Sequence, residues 1–227
     1  MNTNKNSPNI QRVAKPPAHE LVYQKIREMI LFGELAPGQA VTIQGLAELL
    51  NAGMTPVREA IRRLIAGGAL EFLGNRRVLV PELTLDQLDQ LSFARLKIEP
   101  RLAYLAALNL TDADIASLAA IDSTLNTAIE RGDVRGYLES NYRFHAKIYD
   151  RADASILREI ADGLWLRSGP SLRVVCGRFG TFNLPDRHED ALVAIRARNP
   201  KALSHAITED LKQGFEQIKQ SFLSTES

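Results

Sequence analysis

In the first third of the chain, apolar side chains recur at the spacing of α-helices. The first run consists of Leu21, Val22, Ile26, Met29 and Ile30. Gly33 can end that helix, and Thr42 can cap a second helix, "IQGLAELL", which the segment "NAG" stops. A third helix, from Met54 to Ile65, is closed by Gly67 and Gly68. Three helices in succession are therefore expected at the start of the fold.

A hairpin is expected directly after the third helix. The segments "ALEFL" and "RRVLVP" flank Gly74-Asn75, which is a two-residue turn signal because glycine can adopt the positive φ that a tight turn requires. Helix, helix, helix, hairpin is the order of a winged helix-turn-helix, and we assign it to residues 19–81. Residues 1–18 are polar and contain proline, so a disordered tail is expected there.

Beyond Pro81 the pattern predicts helices alone. Thr84 and Thr111 each begin a capping-box sequence that opens a helix. The fourth helix of this region contains Gly169-Pro170 and is expected to bend there. The six expected helices cover about residues 84–107, 111–132, 134–150, 154–176, 185–198 and 200–223. The expected fold class is mainly α, with a winged helix-turn-helix followed by an all-α six-helix bundle over residues 82–227.

Charge is distributed unevenly between the two regions. The 227 residues have a net charge of +1, but residues 1–81 hold ten Lys and Arg against six Asp and Glu, whereas the remainder hold eighteen against twenty-one. A basic front and a mildly acidic back indicate two functions on two domains. The one cysteine excludes an internal disulfide, and no apolar run approaches the ~18 residues of a membrane span. We therefore expect a cytoplasmic protein with no membrane partner.

The third helix has one apolar and one charged face. On a helical wheel, one arc holds Val57, Ala60, Ile61, Leu64 and Ile65, and the other holds Thr55, Arg58, Glu59, Arg62 and Arg63. The apolar arc must pack on the neighbouring elements, so the basic arc faces outward on the second helix of the helix-turn-helix. That helix fits the major groove of DNA, where the planar fork of arginine can bind guanine O6 and N7 together.

The wing adds positive charge to the same side of the domain. Arg76 and Arg77, at the wing tip, lie where a hairpin can reach backbone phosphate. For the third helix alone, a solvated charged face without a ligand is an equally good interpretation. The preceding helix, the wing and the charge of the domain together favour binding to double-stranded DNA.

The residues of this region resemble a known family of bacterial transcription regulators. The segments "YQKIREMILFGELAPGQAV", "LAELL", "TPVREAIRRLIAGGALE" and "NRRVLVP" are similar to the winged-helix domain of GntR-family regulators. The helical remainder resembles the FCD effector domain of the FadR branch, and six helices are closer to its VanR-like subgroup. The resemblance implies a homodimer that binds an inverted-repeat operator and is released from it by a small organic acid.

Three positions bear on how DNA would be read. Many relatives have arginine where Gln44 stands and Ser-Arg where Gly53-Met54 stand, while the family's arginine in "PVRE" is kept as Arg58. One expected helix cap and two expected DNA-contacting arginines are therefore absent. We expect Arg58 and Arg62 to carry more of the recognition, with Gln44 still facing the DNA.

A metal site is the first candidate in the helical region. Asn141 and His145 are four residues apart and share one helix face, while His188 and Asp210 lie in the last two helices. A histidine taken singly is more often structural, but the resemblance implies that these four positions are the ligands, with Asp210 where relatives have histidine. An N/O set of this kind favours Zn²⁺, Mn²⁺ or Ni²⁺ without choosing among them. His205 lies off this register and is interpreted as a surface residue.

The effector would bind beside that site. Arg95 matches an arginine position common in the family, and it can pair either with a ligand carboxylate or with Glu99, four residues on. Trp165 and Arg167 can line the same cavity, although a tryptophan there is also consistent with a plain core residue.

Two other classes of protein remain open at this point. One is a helical metal-dependent enzyme with an accessory DNA-binding domain, since the candidate ligands could activate water. The sequence has no nucleophile motif and no phosphate-binding glycine loop that would favour it. The other is an architectural DNA binder whose helical region only dimerises. The regulator is preferred because the candidate pocket positions fit a sensor.

Overall fold

The structure is a computed structural model that describes residues 17–179 and 187–223, with side chains described for 17–172 and 187–223. The first half comprises α1 (Ala18–Leu31), β1 (Ala40–Thr42), α2 (Ile43–Leu49), α3 (Met54–Ala66), β2 (Glu71–Gly74) and β3 (Arg77–Leu79). The second half comprises α4 (Leu85–Ala106), α5 (Asp112–Arg131), α6 (Val134–Tyr149), α7 (Ser155–Phe179), α8 (His188–Arg196) and α9 (Pro200–Leu223). The predicted fold class, a winged helix-turn-helix followed by six helices, is confirmed for the described residues.

The winged-helix half contains a strand that the sequence pattern did not predict. β1 pairs antiparallel with β3, with Val41 opposite Val78, so the sheet order is β1-β3-β2. β1 has only three residues and runs directly into α2, where Thr42 caps the helix by accepting a hydrogen bond of 2.9 Å from the Gly45 amide. So short a strand has too few positions to show an alternating pattern.

The wing turn lies one residue later than predicted. Asn75 and Arg76 both have positive φ, at 47° and 57°, which is the signature of a two-residue hairpin turn with the twist of the strands. The pairing register shifts between Phe72 and Gly74, so the positive φ of Gly74 belongs to that irregularity rather than to the turn. The hairpin was therefore predicted correctly, but the turn residues were wrong by one position.

The helical half follows its predicted caps. Thr84 accepts a hydrogen bond from the Gln87 amide and Thr111 accepts one from the Asp114 amide, and each box is closed by the reciprocal bond. α7 continues through Pro170 to Phe179, beyond its predicted end near residue 176. α8 begins at His188 rather than at the predicted Pro185, which lies outside the described residues. No described helix is long and apolar enough to span a membrane.

Among the described residues, two apolar cores hold the molecule together, and one of them joins its halves. The first core contains Ile26, Ile30 and Phe32 from α1 and its end, with Trp165 and Leu166 from α7. The second core lies wholly within the helical half, between α4, α5, α6, α7, α8 and α9. The winged-helix half is therefore packed on the helical half by buried apolar surface and is not merely tethered to it.

The contact between α1 and α7 is close. A methyl group built on Gly169 would lie 3.5 Å from both Cδ2 and the carbonyl oxygen of Leu31, so a small residue suits this position. At the edge of the contact, Arg135 on α6 forms an ion pair of 2.9 Å with Glu34. This docking brings the end of α1 next to the helices that carry the candidate sensor residues.

Candidate functional site

The outer face of α3 presents the predicted DNA-contacting residues. Thr55, Arg58 and Arg62 are exposed, while Val57, Ala60, Ile61 and Leu64 are buried beneath them. Within the described residues, Arg58 and Arg62 have no hydrogen-bond or ion-pair partner, so both guanidinium groups are available to a ligand.

Arg63 lies apart from these two arginines. Its Nη1 donates to Glu20 on α1 at 2.8 Å, and its guanidinium carbon stands 3.7 Å from the ring centre of Tyr23. The hydrogen bond to Glu20 raises the pKa of Arg63 and lowers that of Glu20. Arg63 therefore ties α3 to α1, a long-range contact that the helical wheel could not reveal.

The remaining predicted DNA contacts flank the recognition helix. Gln44 is exposed on α2, where its amide donates to Glu48 at 3.0 Å. Arg76 and Arg77 are exposed at the wing tip. The wing is held to the helix-turn-helix because the carbonyl of Arg76 accepts a hydrogen bond of 3.0 Å from the Ile43 amide.

In the helical half, the predicted metal residues converge. Ligand atoms of His145, His188 and Asp210 all lie within 4.8 Å of one another. Nε2 of His145 is 3.1 Å from Oδ2 of Asp210, and Nε2 of His188 is 3.1 Å from Oδ1 of Asn141. α6, α8 and α9 thus bring all four predicted ligands to one place.

The outer nitrogen of each imidazole has its own partner. Nδ1 of His145 lies 3.0 Å from the hydroxyl of Tyr149, which itself donates to Glu99 at 2.7 Å. Nδ1 of His188 lies 3.2 Å from a carboxylate oxygen of Asp122. With Nδ1 protonated, each Nε2 turns a lone pair toward the cluster, which is the arrangement that metal-ligating histidines adopt.

Two features of the cluster fit a cation better than a set of hydrogen bonds. Nε2 of His145 is buried and has no hydrogen-bond partner among the described residues, although Oδ2 of Asp210 lies 3.1 Å away. When Nδ1 of His188 carries the proton, its Nε2 is an acceptor, and it faces the amide oxygen of Asn141, which is an acceptor as well. Two acceptors can lie this close together when both bind the same positive ion. Burial tends to raise the pKa of the Asp210 carboxyl, but the neighbouring histidines and Arg95 outweigh it and lower that pKa.

Tyr149 and Asp122 were not predicted from the sequence. Tyr149 is four residues after His145 on α6, so helical spacing could have identified it. Asp122 is 66 residues from His188 and lies on α5, and no local pattern connects the two. Phe144 also fixes His188, because their rings stack at 3.9 Å between centres with 6° between planes.

Arg95 and Glu99 form a buried ion pair beside the cluster. Nε and Nη2 of Arg95 donate to the two oxygens of Glu99, and Nη1 donates to Ser168 at 2.9 Å. Glu99 also accepts from Trp165 Nε1 at 3.0 Å and from Tyr149. Burial raises the pKa of Tyr149, and the negative charge of Glu99 adds to that rise.

A small cavity opens between this pair and the cluster. Its volume is about 50 Å³, and its polar lining includes Arg95, Asn141, Arg187, His188, Asp210, Gln213 and Gln217. Trp165 forms part of its wall, whereas Glu99 stands behind Arg95 and does not line it. Oε1 of Gln217 is buried with no hydrogen-bond partner among the described residues.

Arg167 is not part of this cavity, contrary to the expectation from the sequence. Its side chain is exposed on the other face of α7, where a methyl group built on Gly68 would lie 3.4 Å from its Nε. Trp165 and Arg167 are two residues apart on a helix, so their side chains point in well-separated directions.

Comparison with known proteins agrees with this architecture. Residues 18–80 match the model of bacterial regulatory proteins of the gntR family, and residues 90–213 match the FCD domain. The HTH-type transcriptional regulator McbR of Escherichia coli strain K12 is 31% identical over 204 residues, which are 88% of this chain and 92% of McbR.

Further relatives extend the similarity. The HTH-type transcriptional repressor RspR of the same strain is 25% identical over 208 residues, covering 90% of each chain. The solved structure of E. coli McbR/YncC superposes with a TM-score of 0.86 at 29% identity, over 92% of this chain and 100% of the other.

Proposed function

Because the chain belongs to the GntR family of bacterial regulatory proteins and carries an FCD domain, we propose how this DNA-binding transcription regulator senses its signal. In regulators of this family the FCD domain binds a small-molecule effector. These proteins are transcription regulators and not enzymes. The proposal is a homodimeric repressor that a small carboxylate releases from its operator, with a divalent metal ion in the helical half.

The DNA side of the proposal uses the exposed face of α3. Arg58 and Arg62 would bind base edges in the major groove, Thr55 and Gln44 would contact the backbone, and the wing arginines would hold phosphate. One recognition helix reads one half-site, so two copies of the chain would read an inverted repeat.

The metal side is carried by one observation, the convergence of His145, His188 and Asp210 beside Asn141. These residues supply two neutral nitrogens, one carboxylate and one amide oxygen, a set that suits Zn²⁺, Mn²⁺ or Ni²⁺. When bound, the ion would supply a Lewis-acidic centre that can hold a carboxylate. Tyr149 and Asp122 would fix the orientation of the two imidazoles.

The effector part of the proposal depends on the N–H groups of Arg95 that are not engaged within the protein. Three of its five N–H groups are engaged by Glu99 and Ser168, so two remain to hydrogen-bond a ligand carboxylate in the cavity. A volume of about 50 Å³ has room for a few water molecules, and therefore for a very small acid unless the side chains rearrange. Effector binding would shift operator affinity by favouring one orientation of the DNA-binding halves.

The test is the metal content of protein purified without chelators, measured by plasma mass spectrometry. We expect close to one ion per chain in the wild type and its loss in His145→Ala. His205→Ala is the matched control, since His205 is exposed outside the cluster on α9 and should retain the metal. Metal in all three proteins would place the ion elsewhere, and metal in none would remove the ion from the proposal.

The operator experiment separates a sensor from a purely architectural DNA binder. Operator affinity is measured with and without a chelator and with a series of small carboxylates. A change in affinity that His145→Ala abolishes supports the sensor. Affinity that no metal or carboxylate alters would favour the architectural protein.

A further inference from the structure

A second, larger cavity lies where the two halves of the molecule meet. Its volume is about 270 Å³, and its walls come from the end of α3, the start of β2, the segment that joins the halves, α4 and α7. Five apolar side chains that line it are Ile65, Leu70, Val80, Leu83 and Leu166. The described lining residues of this cavity are all different from those of the cavity of about 50 Å³ beside His188 and Asp210, which we call the metal-side cavity.

The polar groups at this cavity include two that offer hydrogen-bond donors. Arg167 has no hydrogen-bond or ion-pair partner within the described ranges. Gln87 accepts the Thr84 amide hydrogen bond of 3.0 Å with Oε1, which leaves its NH₂ group to donate. Because two donors lie at the margin of an apolar cavity, a fitting ligand has a hydrogen-bond acceptor at one end and an apolar body.

We propose that this junction cavity is a second ligand site, which binds a small aliphatic carboxylate. The carboxylate would accept hydrogen bonds from Arg167 and Gln87, and a guanidinium can hold both of its oxygens at once. The alkyl chain would lie among the apolar side chains of the wall. Because pockets for drug-sized ligands measure roughly 300–1,000 Å³, this cavity of about 270 Å³ suits a smaller molecule.

The charge at the site favours a single negative charge on the ligand. Glu71 is the one acidic residue of the described lining, and it stands at the start of β2. A dicarboxylate would bring its second negative charge toward Glu71 and the apolar wall. Glu71 would repel that charge, and the apolar side chains cannot solvate it. A monocarboxylate places its only charge at Arg167.

Occupation of this cavity would act on DNA binding without involving the metal. The walls come from both halves, so a ligand there stabilises the docked arrangement of the DNA-binding half. Arg167 also stands beside Gly68 at the C-terminal end of the recognition-helix segment, so its ligand would lie close to that helix.

The experiment is calorimetric titration of the full chain with hexanoate at low-millimolar concentration, with hexanamide as the uncharged comparison. We expect hexanoate to bind and hexanamide to bind at least tenfold more weakly, because only the anion pairs with Arg167. Arg167→Gln should lower the affinity for hexanoate at least tenfold, and Glu71→Gln should raise that affinity. Both positions are exposed, so thermal unfolding should show that both variants fold.

Two controls separate this site from the metal-side cavity. Hexanoate should bind equally well with and without a metal chelator, and Arg143→Gln, an exposed arginine on α6, should bind it like the wild type. Absence of hexanoate binding to the wild type would overturn the proposal. Binding that persists unchanged in Arg167→Gln, or that a chelator abolishes, would overturn it as well.

Discussion

The guanidinium of Arg27 on α1 donates a hydrogen bond of 2.8 Å to the hydroxyl of Tyr142 on α6, and Tyr142 follows Asn141 directly in the chain. Asp162 on α7 accepts from both, at 3.1 Å from Arg27 and 2.8 Å from Tyr142. Burial raises the pKa of Tyr142, which keeps its hydroxyl a donor. The Tyr142 ring also meets Trp165 edge-on, 5.5 Å between centres. One side chain therefore contacts both the DNA-binding half and the wall of the candidate sensor.

Tyr142→Phe should loosen the docking of α1. It removes the hydroxyl from a partly buried network, at a cost of about 1 kcal/mol, while the ring still packs. Hydrogen exchange should show faster exchange in α1 than in the wild type. Arg135→Ala breaks the exposed pair with Glu34 instead and should change exchange little, because exposed pairs contribute about 0–1 kcal/mol. Equal protection of α1 in Tyr142→Phe and wild type would contradict the prediction.

Arg58→Ala should lose most of its operator specificity. Each bidentate contact to a base discriminates by about 1–3 kcal/mol, so Arg58→Ala and Arg62→Ala should each weaken operator binding by roughly fivefold to more than a hundredfold. Arg63→Ala is the control on the same helix, since Arg63 is engaged with Glu20 on α1. Gel-shift titration at fixed salt measures all three. Unchanged operator affinity in Arg58→Ala would mean that the recognition face is assigned wrongly.

Asp122→Asn should weaken metal binding without removing a metal ligand. Asp122 accepts from Nδ1 of His188, and partners of this kind typically contribute about 10–100-fold to metal affinity. Competition with a chromogenic chelator measures that affinity. Asp89→Asn, an exposed acid on α4, is expected to bind metal like the wild type. Equal affinity in Asp122→Asn would argue against the proposed orientation of His188.

Glu99→Gln should destabilise the fold by about 3–5 kcal/mol, because it removes the carboxylate that pairs directly with the buried guanidinium of Arg95. The double variant Arg95→Met, Glu99→Leu should lose less, since it removes both charges together. Urea unfolding followed by the fluorescence of Trp165, the one tryptophan of the chain, measures both. A double variant less stable than Glu99→Gln would contradict this account of the pair.

Acid should lower the free energy of unfolding because Asp114 becomes protonated. Burial acts to raise the pKa of its carboxyl, but hydrogen bonds from Arg151 and Thr111 outweigh it and hold that pKa well below its usual range. A carboxyl whose pKa is lower in the folded state stabilises the fold above its unfolded pKa of ~4, and the contribution is lost as the pH falls below that value.

The corresponding measurement is urea unfolding across acidic pH. The free energy of unfolding of the wild type should fall between about pH 5 and pH 3, and Asp114→Asn should fall less over that range while being less stable at neutral pH. Asp89→Asn, an exposed acid, should keep the slope of the wild type. A slope in Asp114→Asn equal to that of the wild type would rule out Asp114 as the group responsible.

Local patterns in the sequence predicted the helices and their caps. The boxes at Thr84 and Thr111 form because every contact in them joins residues three positions apart. The pairing of Arg95 with Glu99, one of two alternatives, also follows from helical spacing. The turn was misplaced at Gly74 because a strand irregularity and a turn both suit glycine, and only the pairing register distinguishes them.

Long-range relationships were beyond any local pattern. The sequence could name His188 as a candidate but not Asp122, which reaches it from α5. It grouped Arg63 with the DNA-facing arginines because the position of α1 was unknown, and it grouped Arg167 with Trp165 because they are neighbours in the chain. In each case the deciding fact is which helix packs on which face, and burial in the shared core sets it.

The apolar core that joins the two halves also limits how freely either could be exchanged in evolution. Leu31 and Phe32 from the first half share that core with Trp165 and Leu166 from the second. A genetic crossover at Pro81 would bring together two faces that had not changed in step, and each would expose apolar surface wherever the other failed to match. Viable recombinants at that point should therefore come from close relatives, and the two halves are expected to have diverged as a pair.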